Sequence, residues 1–565
     1  MSSSNNQNQQ SFFDPATLIA IAAVGILWIM WNSYMRAKYP PTPVSPVEVS
    51  ESQDGSGVGT RGQGSQEDLV RSEDRLRNLV AEQSGTSPLN GMSVAAELSA
   101  RSEGHREKQE SLLYHEDDYW RFAFSSQGMG IRDLKLLQFK DREFNPITLG
   151  RGEGFLPMET NLMGRRTPID FEVERISENE YLGRAQVGEL EIVKKVVVNS
   201  ESYSLHTEVR VFGQSDGFMG LTSYLSEEVE VFESTSFFLP QFERQEFFIS
   251  YGGGRTERVR VDPEASLSQS FDRTNIISIG SQYFAQAVVD RSGIIPEGRV
   301  IVDQPAQTVV AVLNYPVLTR TNEFVINYTG FMGPKSYQLL ESIDRNLAGV
   351  VDFGFFGFIG HYILKIMVWF HGIVGNWGLS IILLTILVRI AVLPFMIMSF
   401  RSMKAMQVIQ PRLKELREKY KDDRQKLNEE MMTLMRENKV NPLGGCLPLL
   451  LQFPIFIALY QVLGQSIELY QAPFFGWIQD LSLKDPFYVL PILMGITMFF
   501  QTRLTPNTLD PAQAKVMMAM PVIFSLFMLA LPSGLTLYIF VSALFGVLQQ
   551  MYFMRETSKT AAVAA

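Results

Sequence analysis

The sequence contains little of what metal, disulfide or nucleotide chemistry requires. Its 565 residues include one cysteine, Cys446, and five histidines. A single cysteine excludes an intrachain disulfide framework and any multi-cysteine zinc or iron–sulfur site. No two histidines form an HExxH-type pair, and no GxxxxGKS or GxxxxGKT loop for phosphate occurs. We therefore expect no metal and no cofactor.

Hydrophobic residues are abundant, at 46% of the chain, and include 39 Phe and 25 Met. That content exceeds what a solvated surface needs and indicates that part of the chain lies in lipid. Mean hydropathy is close to zero, so a sizeable polar region must balance the apolar segments. The net charge of −10 suits a soluble external domain and argues against direct nucleic-acid binding.

Six apolar segments are candidates for crossing a bilayer, which takes ~20 apolar residues. The first, residues 16–32, ends near two tryptophans suited to a membrane interface and predicts an N-terminal anchor over residues 1–35. A cleaved signal peptide fits less well, because no Lys or Arg precedes the apolar run. The other five predict a helical core over residues 372–554, with spans at 372–400, 443–463, 487–501, 516–531 and 534–554. We therefore predict a polytopic α-helical membrane protein with six transmembrane helices.

The distribution of basic residues predicts the orientation. Residues 401–440 hold 11 Lys and Arg against 7 Asp and Glu, whereas residues 465–486 hold one Lys and three acids. Short cytoplasmic loops carry the excess of Lys and Arg. We therefore expect residues 401–440, both termini and the short tail 555–565 in the cytoplasm. The large polar region is then periplasmic, and the predicted spans lie in a bacterial inner membrane. Arg36 and Lys38, just after the first span, oppose this direction for the first helix.

The polar region divides into two parts. Residues 36–112 are rich in Ser, Gly, Gln, Glu and Arg with few aromatics, which predicts a disordered periplasmic linker. Residues 113–335 show apolar and polar residues in period-two alternation, which is typical of strands, and predict a β-sandwich. One face of the clearest strand comprises Tyr203, Leu205, Thr207, Val209 and Val211. Similar strands are expected around 191–198, 229–232, 257–261 and 324–328.

Residues 336–371 are expected to connect this domain to the helical core. Within them, residues 353–370 are heavily aromatic, with His361 and Lys365 as the main polar side chains. The segment is long enough to span a bilayer, but one more span would move the basic segments out of the cytoplasm. We therefore predict an aromatic-rich helix that lies in the membrane interface.

Arg389 is the charged side chain at mid-membrane depth in the predicted core. It lies about 18 Å from both Trp377 and Arg401, at 1.5 Å per residue, too far for its side chain to reach the surface easily. An arginine at that depth costs at least ~2.5–3.5 kcal/mol and is tolerated when it faces water or a partner. The five C-terminal spans contain no Asp or Glu. We infer a water-filled cavity; a structural arginine bonded to backbone carbonyls is the alternative.

Other polar side chains in the spans are candidates to line that cavity. Thr385 lies one helical turn before Arg389 and on the same face. The others are Gln452, Thr497, Gln501, Ser525, Thr536 and Tyr538. Taken singly, each is better explained by an ordinary hydrogen bond between helices. A transporter or pump fits less well, because ion coupling usually requires intramembrane carboxylates or unwound paired helices, and a channel would show rings of charge or a filter loop.

Several short motifs mark the predicted core. They are Asn376-Trp377-Gly378, Gln410-Pro411, the run NPLGGCLP at 441–448, Asp485-Pro486, Met520-Pro521 and Pro532-Ser533-Gly534-Leu535. Together they extend nearly continuously from 353 to 554 and resemble the YidC/Oxa/Alb family of membrane protein insertases. In the polar region, Gln282-Tyr283-Phe284-Ala285 and Gly333-Pro334-Lys335 resemble the external domain of the long Gram-negative YidC form.

The resemblance implies a five-helix core with a hydrophilic groove that is open to cytoplasm and lipid, closed outside and centred on Arg389. Thr385 and Tyr538 match groove positions of functional weight in the family. The implied function is an insertase and chaperone that inserts, folds and helps assemble inner-membrane proteins, alone or with the Sec translocon. A Sec-associated chaperone without autonomous insertion is the alternative.

The implied partners are nascent inner-membrane proteins, the Sec translocon, the lipid bilayer and the ribosome. Because the tail after residue 554 is short and weakly basic, ribosome contact would rely on residues 401–440, which we predict to be a helical hairpin broken near Lys421-Asp422-Asp423. The basic candidates for that contact are Arg401, Lys404, Arg412, Lys414, Arg417 and Lys419.

The resemblance also implies a supersandwich-like fold for the external domain, similar to that of sugar mutarotases. A sugar enzyme of that type needs placed histidines and carboxylates, and only His115 and His206 occur in the domain. His206 falls on the polar face of its predicted strand. We therefore expect a folding spacer or a partner-docking domain, with a sugar enzyme as the alternative.

Overall fold

The structure, a computed structural model, describes residues 110–165, 167–213, 215, 217–232, 242–317, 322–420, 423–438, 447–504 and 511–563. The predicted N-terminal anchor and residues 36–109 of the predicted linker lie outside these ranges. The chain divides into two compact units. The first is Ser33–Val350, and the second is Val351–Ala565 together with Met1–Asn32.

The described part of the first unit is mostly β-structure. Its strands are β1 (Leu112–Glu116), β2 (Trp120–Ser125), β3 (Ile131–Lys140), β4 (Pro146–Leu149), β5 (Thr160–Leu162), β6 (Glu172–Arg175), β7 (Glu180–Val187), β8 (Leu190–Asn199), β9 (Ser204–Phe212), β10 (Gly220–Glu228), β11 (Glu246–Tyr251), β12 (Thr256–Arg260), β13 (Leu267–Phe271), β14 (Thr274–Gly280), β15 (Phe284–Asp290), β16 (Glu297–Asp303), β17 (Thr308–Pro316) and β18 (Glu323–Pro334). A short helix α1 (Tyr337–Ile343) and a 3-10 turn (Leu347–Val350) follow.

These strands form three antiparallel sheets. The largest has the order β12-β11-β14-β15-β18-β9-β8-β7-β6, the second β13-β16-β17-β10-β5, and the third β1-β2-β3-β4. Strands β10 and β17 of the second sheet pack against β14 and β15 of the first. The side chains between these strands are buried and apolar, among them Leu225, Ala311, Ile277 and Val288. The predicted β-sandwich is confirmed.

Strand β9 shows how the alternating sequence produces the fold. The residues predicted on one face, from Tyr203 to Val211 in steps of two, are all buried. His206 and Arg210 on the other face are exposed, while Ser204 at the start of the strand is buried. Because successive side chains point to opposite sides of a sheet, this pattern fixes which face of β9 meets the core.

One predicted strand is wrong. Strand β10 ends at Glu228, and residues 229–232 are not a strand. The Val229 N–H donates to the carbonyl of Gln307 at 2.8 Å, at the turn before β17. The Glu230 N–H donates to the side-chain amide oxygen of Gln245 at 3.2 Å. The first bond extends the register of β10 with β17 by one residue, to the turn over residues 304–307, and the second goes to a side chain. Residues 229–232 therefore have no strand to pair with among the described residues.

A buried charged cluster fixes the C-terminal 3-10 turn of this unit to the largest sheet. Arg258 on β12 donates to a carboxylate oxygen of Glu246 on β11 and to the carbonyls of Gly349 and Val350. Arg258 and Glu246 are both almost completely buried. Although burial opposes ionisation, Arg244 and Arg258 lower the pKa of Glu246 to about 2. The carboxylate therefore stays charged and holds Arg258 against the 3-10 turn.

The second unit is helical in its described part. Its helices are α2 (Gly357–Val374), α3 (Trp377–Lys419), α4 (Arg424–Glu437), α5 (Leu447–Gln465), α6 (Val489–Leu504), α7 (Pro511–Met528) and α8 (Ser533–Val563). Three stretches, Gly357–Val374, Trp377–Lys419 and Ser533–Phe553, are long and apolar enough to cross a membrane, and Val489–Leu504 and Val516–Met528 are shorter apolar helices. Helix α2 falls within the first group, so its interfacial placement stays a prediction.

The boundary between α2 and α3 differs from the predicted start of the second span at residue 372. Gly375 has φ 66°, in the left-handed region that ends helices, and Asn376 caps α3 by accepting the Leu379 N–H at 3.0 Å. Helix α3 then continues through Pro394 and Pro411 to Lys419, so the predicted span and the first arm of the predicted hairpin form one helix.

Helices α3 and α4 form a hairpin on either side of the predicted break. Ile409 and Leu413 of α3 are buried, with Met431 and Leu434 of α4 packed against them. The N-terminus of α4 is capped by Asp423, which accepts the Lys426 N–H at 3.0 Å. An apolar strip thus joins the two helices of the hairpin.

Candidate functional site

Arg389 projects from the middle of α3 toward α8. Its Nε and Nη2 atoms donate to the hydroxyl of Ser542 at 3.0 and 2.5 Å. Within the described part of the chain, no carboxylate pairs with the guanidinium, and none of its donors meets a backbone carbonyl. Because guanidinium carries five N–H donors, the remaining donors can bind water or a polar ligand. The arginine is partly exposed, so such a ligand has access.

A second hydrogen bond extends this cluster to α5. The Nε2 atom of Gln452 donates to the Tyr538 hydroxyl at 2.5 Å. Tyr538 is fully buried and lies one turn before Ser542 on the same face of α8. Arg389, Gln452 and Tyr538 therefore meet as one polar site between α3, α5 and α8. Ser542 was not among the predicted residues, although its position four residues after Tyr538 would have found it.

Two of the three predicted threonines, Thr385 and Thr536, form hydrogen bonds within their own helices. The hydroxyl of Thr385 donates to the carbonyl of Ile381 at 2.6 Å, and that of Thr536 to the carbonyl of Pro532 at 3.2 Å. Both side chains are almost fully buried, and each hydroxyl proton is used by its own helix. They pack beside the polar site and lend it no donor.

Three predicted residues lie on α6 and α7. Ser525 donates to the carbonyl of Pro491 at 2.7 Å and so joins α7 to α6, while the Thr497 hydroxyl donates within α6 to Leu493 at 2.7 Å. Neither is bonded to the Arg389 cluster. The amide of Gln501 lies over Gly546 of α8, where an added Cβ would be 2.6 Å from its Nε2. Gln501 thus borders the same face of α8 as Ser542.

The loop between α5 and α6 closes one end of the helices. Asp485 is buried and accepts the Trp477 indole N–H at 3.0 Å and the N–H of Leu490, in the first turn of α6, at 2.7 Å. Ser533, which opens α8, donates through its N–H to the Leu483 carbonyl at 2.7 Å. The same loop therefore fixes the starts of α6 and α8. Sequence reasoning noted Asp485 only as part of a motif.

Gly378 brings the start of α3 against this loop. An added Cβ would lie 2.0 Å from Cδ2 of Phe474, so only glycine allows the ring this close. The Asn376 side chain also donates to the Phe474 carbonyl at 3.4 Å. The starts of α3, α6 and α8 are therefore all tied to residues 473–485.

The predicted partner-binding residues lie along the second half of α3. Arg417 is partly buried and is bonded within the chain, and Lys419 stands over the ring of Tyr420 at 5.1 Å. The exposed ones are Arg401, Lys404, Arg412, Lys414 and Lys419. This face can attract an anionic surface.

The histidines of the β-sandwich have partners within the fold. His115 is buried, with Nδ1 at 2.8 Å from the Tyr181 hydroxyl and Nε2 at 3.0 Å from Asp117. His206 lies 3.2 Å from the Thr329 hydroxyl, across from it on β18. Among the described residues, no group of three His, Cys, Asp or Glu side chains is placed to hold a metal.

Comparison with known proteins gives matches to both units. A family model described as "60Kd inner membrane protein" matches residues 369–560, and one described as "YidC periplasmic domain" matches residues 116–366. A membrane protein insertase YidC from Magnetococcus marinus is 31% identical over 96% of this chain and 99% of that protein. One from Pseudomonas fluorescens is 48% identical over 42% of each chain. A YidC insertase crystal structure with its first transmembrane domain resolved is 19% identical, with a TM-score of 0.36, over 79% of this chain and 93% of that one.

The described chain combines a β-sandwich unit with apolar helices that hold a partly buried arginine, and the two family models, of a periplasmic domain and of an inner membrane protein, match these two parts in the same order. The chain belongs to the YidC family of membrane protein insertases.

Proposed function

We propose that this chain inserts, folds and helps assemble inner-membrane proteins through the polar site around Arg389. The observation that supports this most directly is the bonding of Arg389, whose described partner is a single hydroxyl, that of Ser542. An arginine in mid-span with donors to spare attracts water and anionic groups. Membrane insertion is a partitioning process, so the proposed role is not that of an enzyme.

The membrane topology is part of the proposal. Six spans would place both termini in the cytoplasm and the β-sandwich in the periplasm, with α2 along the interface. The basic residues exposed on the second half of α3 support a cytoplasmic hairpin. The loop over residues 473–485 would then close the periplasmic end of the polar site.

The physical problem is moving a short polar segment across about 30 Å of hydrocarbon. A hydrated site that reaches halfway shortens this barrier. Arg389 keeps the site wet and pairs transiently with acidic residues of the incoming segment. The substrate's apolar helix then moves into lipid, driven by burial at ~25 cal/mol per Å². Exposed apolar residues on α3 and α6 offer it a surface: Leu387, Ile390, Phe395, Ile492, Ile496 and Phe500.

The proposed partners follow from these surfaces. Nascent inner-membrane proteins and lipid meet α3 and α6, and the ribosome meets the exposed basic face of α3. The Sec translocon is proposed as a partner for larger substrates. A chaperone that works only beside Sec is the rival to be tested.

The test is reconstitution of the purified chain in liposomes that lack Sec components. We expect a small two-span protein to become protease-protected faster than in empty liposomes. Arg389→Ala should abolish the gain, whereas Arg503→Ala, which removes an exposed arginine at the end of α6, should leave it unchanged. Insertion no faster than in empty liposomes would refute autonomous insertion and favour the Sec-associated chaperone.

A further inference from the structure

Gln549 on α8 is a buried amide that the proposed mechanism does not use. Its side chain is 8% exposed, and neither its nitrogen nor its oxygen has a hydrogen-bond partner among the described residues. It follows Ser542 by two helical turns, about 10 Å along the axis at 1.5 Å per residue. Residues seven apart lie on nearly the same helix face, so Gln549 continues the face that holds Ser542.

Two contacts show that this face of α8 lies along α3. Arg389 contacts Ser542, and the rings of Phe400 and Phe553 lie 5.2 Å apart. Both pairs have the same sequence separation, 153 residues, so the two helices run parallel in constant register between these points. Gln549 falls between the two contacts and therefore faces α3, at the level of its residue 396.

Ser399 lies one turn away on the facing helix. It is 1% exposed, and its hydroxyl also lacks a partner among the described residues. Gly546 lies one turn before Gln549 on α8. The side-chain amide of Gln501 packs against Gly546. The contact between α3 and α8 thus contains buried polar side chains at two levels, at Arg389 and Ser542 and again near Gln549.

An unpaired buried amide is costly in this setting. Buried polar groups are hydrogen-bonded in nearly all native structures, and at 8% exposure the Gln549 side chain has little contact with solvent. A methionine would fill a similar volume without that cost. The side-chain nitrogen and oxygen of Gln549 would therefore be stabilised by a ligand that binds transiently.

We propose that Gln549, with Ser399 beside it, is a second docking position for translocating segments and that its ligand is their peptide backbone. A carboxamide presents a donor and an acceptor side by side, which matches the N–H and C=O of an extended peptide. It can therefore bind uncharged polar segments whatever their side chains, whereas Arg389 favours acidic ones. The inference rests on the proposed function and deepens it.

The first test compares Gln549→Met, Gln549→Asn and Gln550→Met in Sec-free liposomes, with a substrate whose translocated segment is polar and uncharged. We expect Gln549→Met to slow insertion about tenfold, ~1.4 kcal/mol, and Gln549→Asn to retain more. Unfolding of Gln549→Met in SDS should need as much detergent as wild type or more, because an unpaired amide is removed. Gln550 is buried but has a partner within the chain, so Gln550→Met should weaken the fold without slowing this substrate selectively.

The proposal is overturned if Gln549→Met inserts the substrate at the wild-type rate. It is also overturned if the slower insertion of Gln549→Met is accompanied by easier unfolding in SDS, or if Gln549→Asn is slowed to the same extent. The proposed function is judged separately, by wild type and Arg389→Ala in the same assay. If wild type inserts and Arg389→Ala fails while Gln549→Met inserts normally, only the second docking position is refuted.

A contact test is independent of activity. Cys446 is the only native cysteine, so Gln549→Cys can be paired, in a Cys446→Ser chain, with one cysteine in the polar segment of a stalled substrate. We expect a disulfide cross-link after mild oxidation. Met551→Cys is the matched control, because Met551 is exposed on the opposite side of α8 and should give none. Equal cross-linking at both positions would contradict the docking position.

Discussion

Replacing Gly378 with alanine should loosen the closed end of the helices. The new methyl group would stand 2.0, 2.5 and 2.7 Å from three ring atoms of Phe474, far inside van der Waals contact. Because the Phe474 backbone accepts from Asn376 and donates to Ile478 at 3.0 Å, the ring cannot retreat without breaking those bonds. Overpacking of this kind costs ~1–3 kcal/mol.

The assay is the free energy of unfolding of the full chain in mixed micelles, from an SDS titration followed by tryptophan fluorescence. Gly372→Ala is the matched control: Gly372 is exposed on α2, and a Cβ there meets nothing within 4 Å. That change should stabilise by up to ~1 kcal/mol through helix propensity. The steric reasoning is refuted if Gly378→Ala is as stable as wild type or shifts in the same direction as Gly372→Ala.

Two further predictions concern the β-sandwich in the full chain. Arg258→Met leaves the Glu246 carboxylate buried without its closest described cation and should lower the free energy of unfolding by ~3–5 kcal/mol, measured by urea titration; a loss below ~1 kcal/mol would contradict the buried cluster. Lys194 is fully buried, and burial lowers its pKa to about 7. In the unfolded chain the pKa of this lysine is ~10.4, so between about pH 7 and ~10.4 the unfolded state binds more protons than the folded state. The free energy of unfolding should therefore rise in this range by up to ~1.4 kcal/mol per pH unit. Lys194→Met should remove that part of the slope; an unchanged slope from pH 7.5 to 9.5 would show that Lys194 does not titrate there.

The alternation of apolar and polar residues predicted the sandwich, because successive side chains of a strand point to opposite faces of a sheet and only one face is buried. On β9 the period-two pattern gives the buried face residue by residue. The same reasoning failed at residues 229–232, because the neighbouring chain turns at residues 304–307 and β17 begins only at Thr308, which no local pattern in residues 229–232 contains. The predicted span 372–400 and the first arm of the predicted hairpin are one continuous helix, α3, because the change from apolar to charged residues near 400 does not interrupt helix formation.

The site was predicted in part. Depth and the absence of intramembrane acids identified Arg389, and its neighbours Gln452 and Tyr538 were on the predicted list. Ser542 was missed although it lies one turn after Tyr538 on the same face of α8, and Gln549 was missed because its position opposite α3 depends on the register between α3 and α8. Thr385 and Thr536 were predicted from composition and helix face, yet their hydroxyls bond within their own helices.

The central claim is that substrates use the polar site at Arg389. Its most direct test is depletion of the native protein in its host, complemented by wild type, Arg389→Ala or Arg389→Lys, with insertion of a small two-span protein scored by protease protection. We predict that Arg389→Ala is present in the membrane at wild-type level but fails to insert, and that Arg389→Lys retains part of the activity because it keeps the charge. Normal insertion by Arg389→Ala would contradict the claim and leave Arg389 a structural residue.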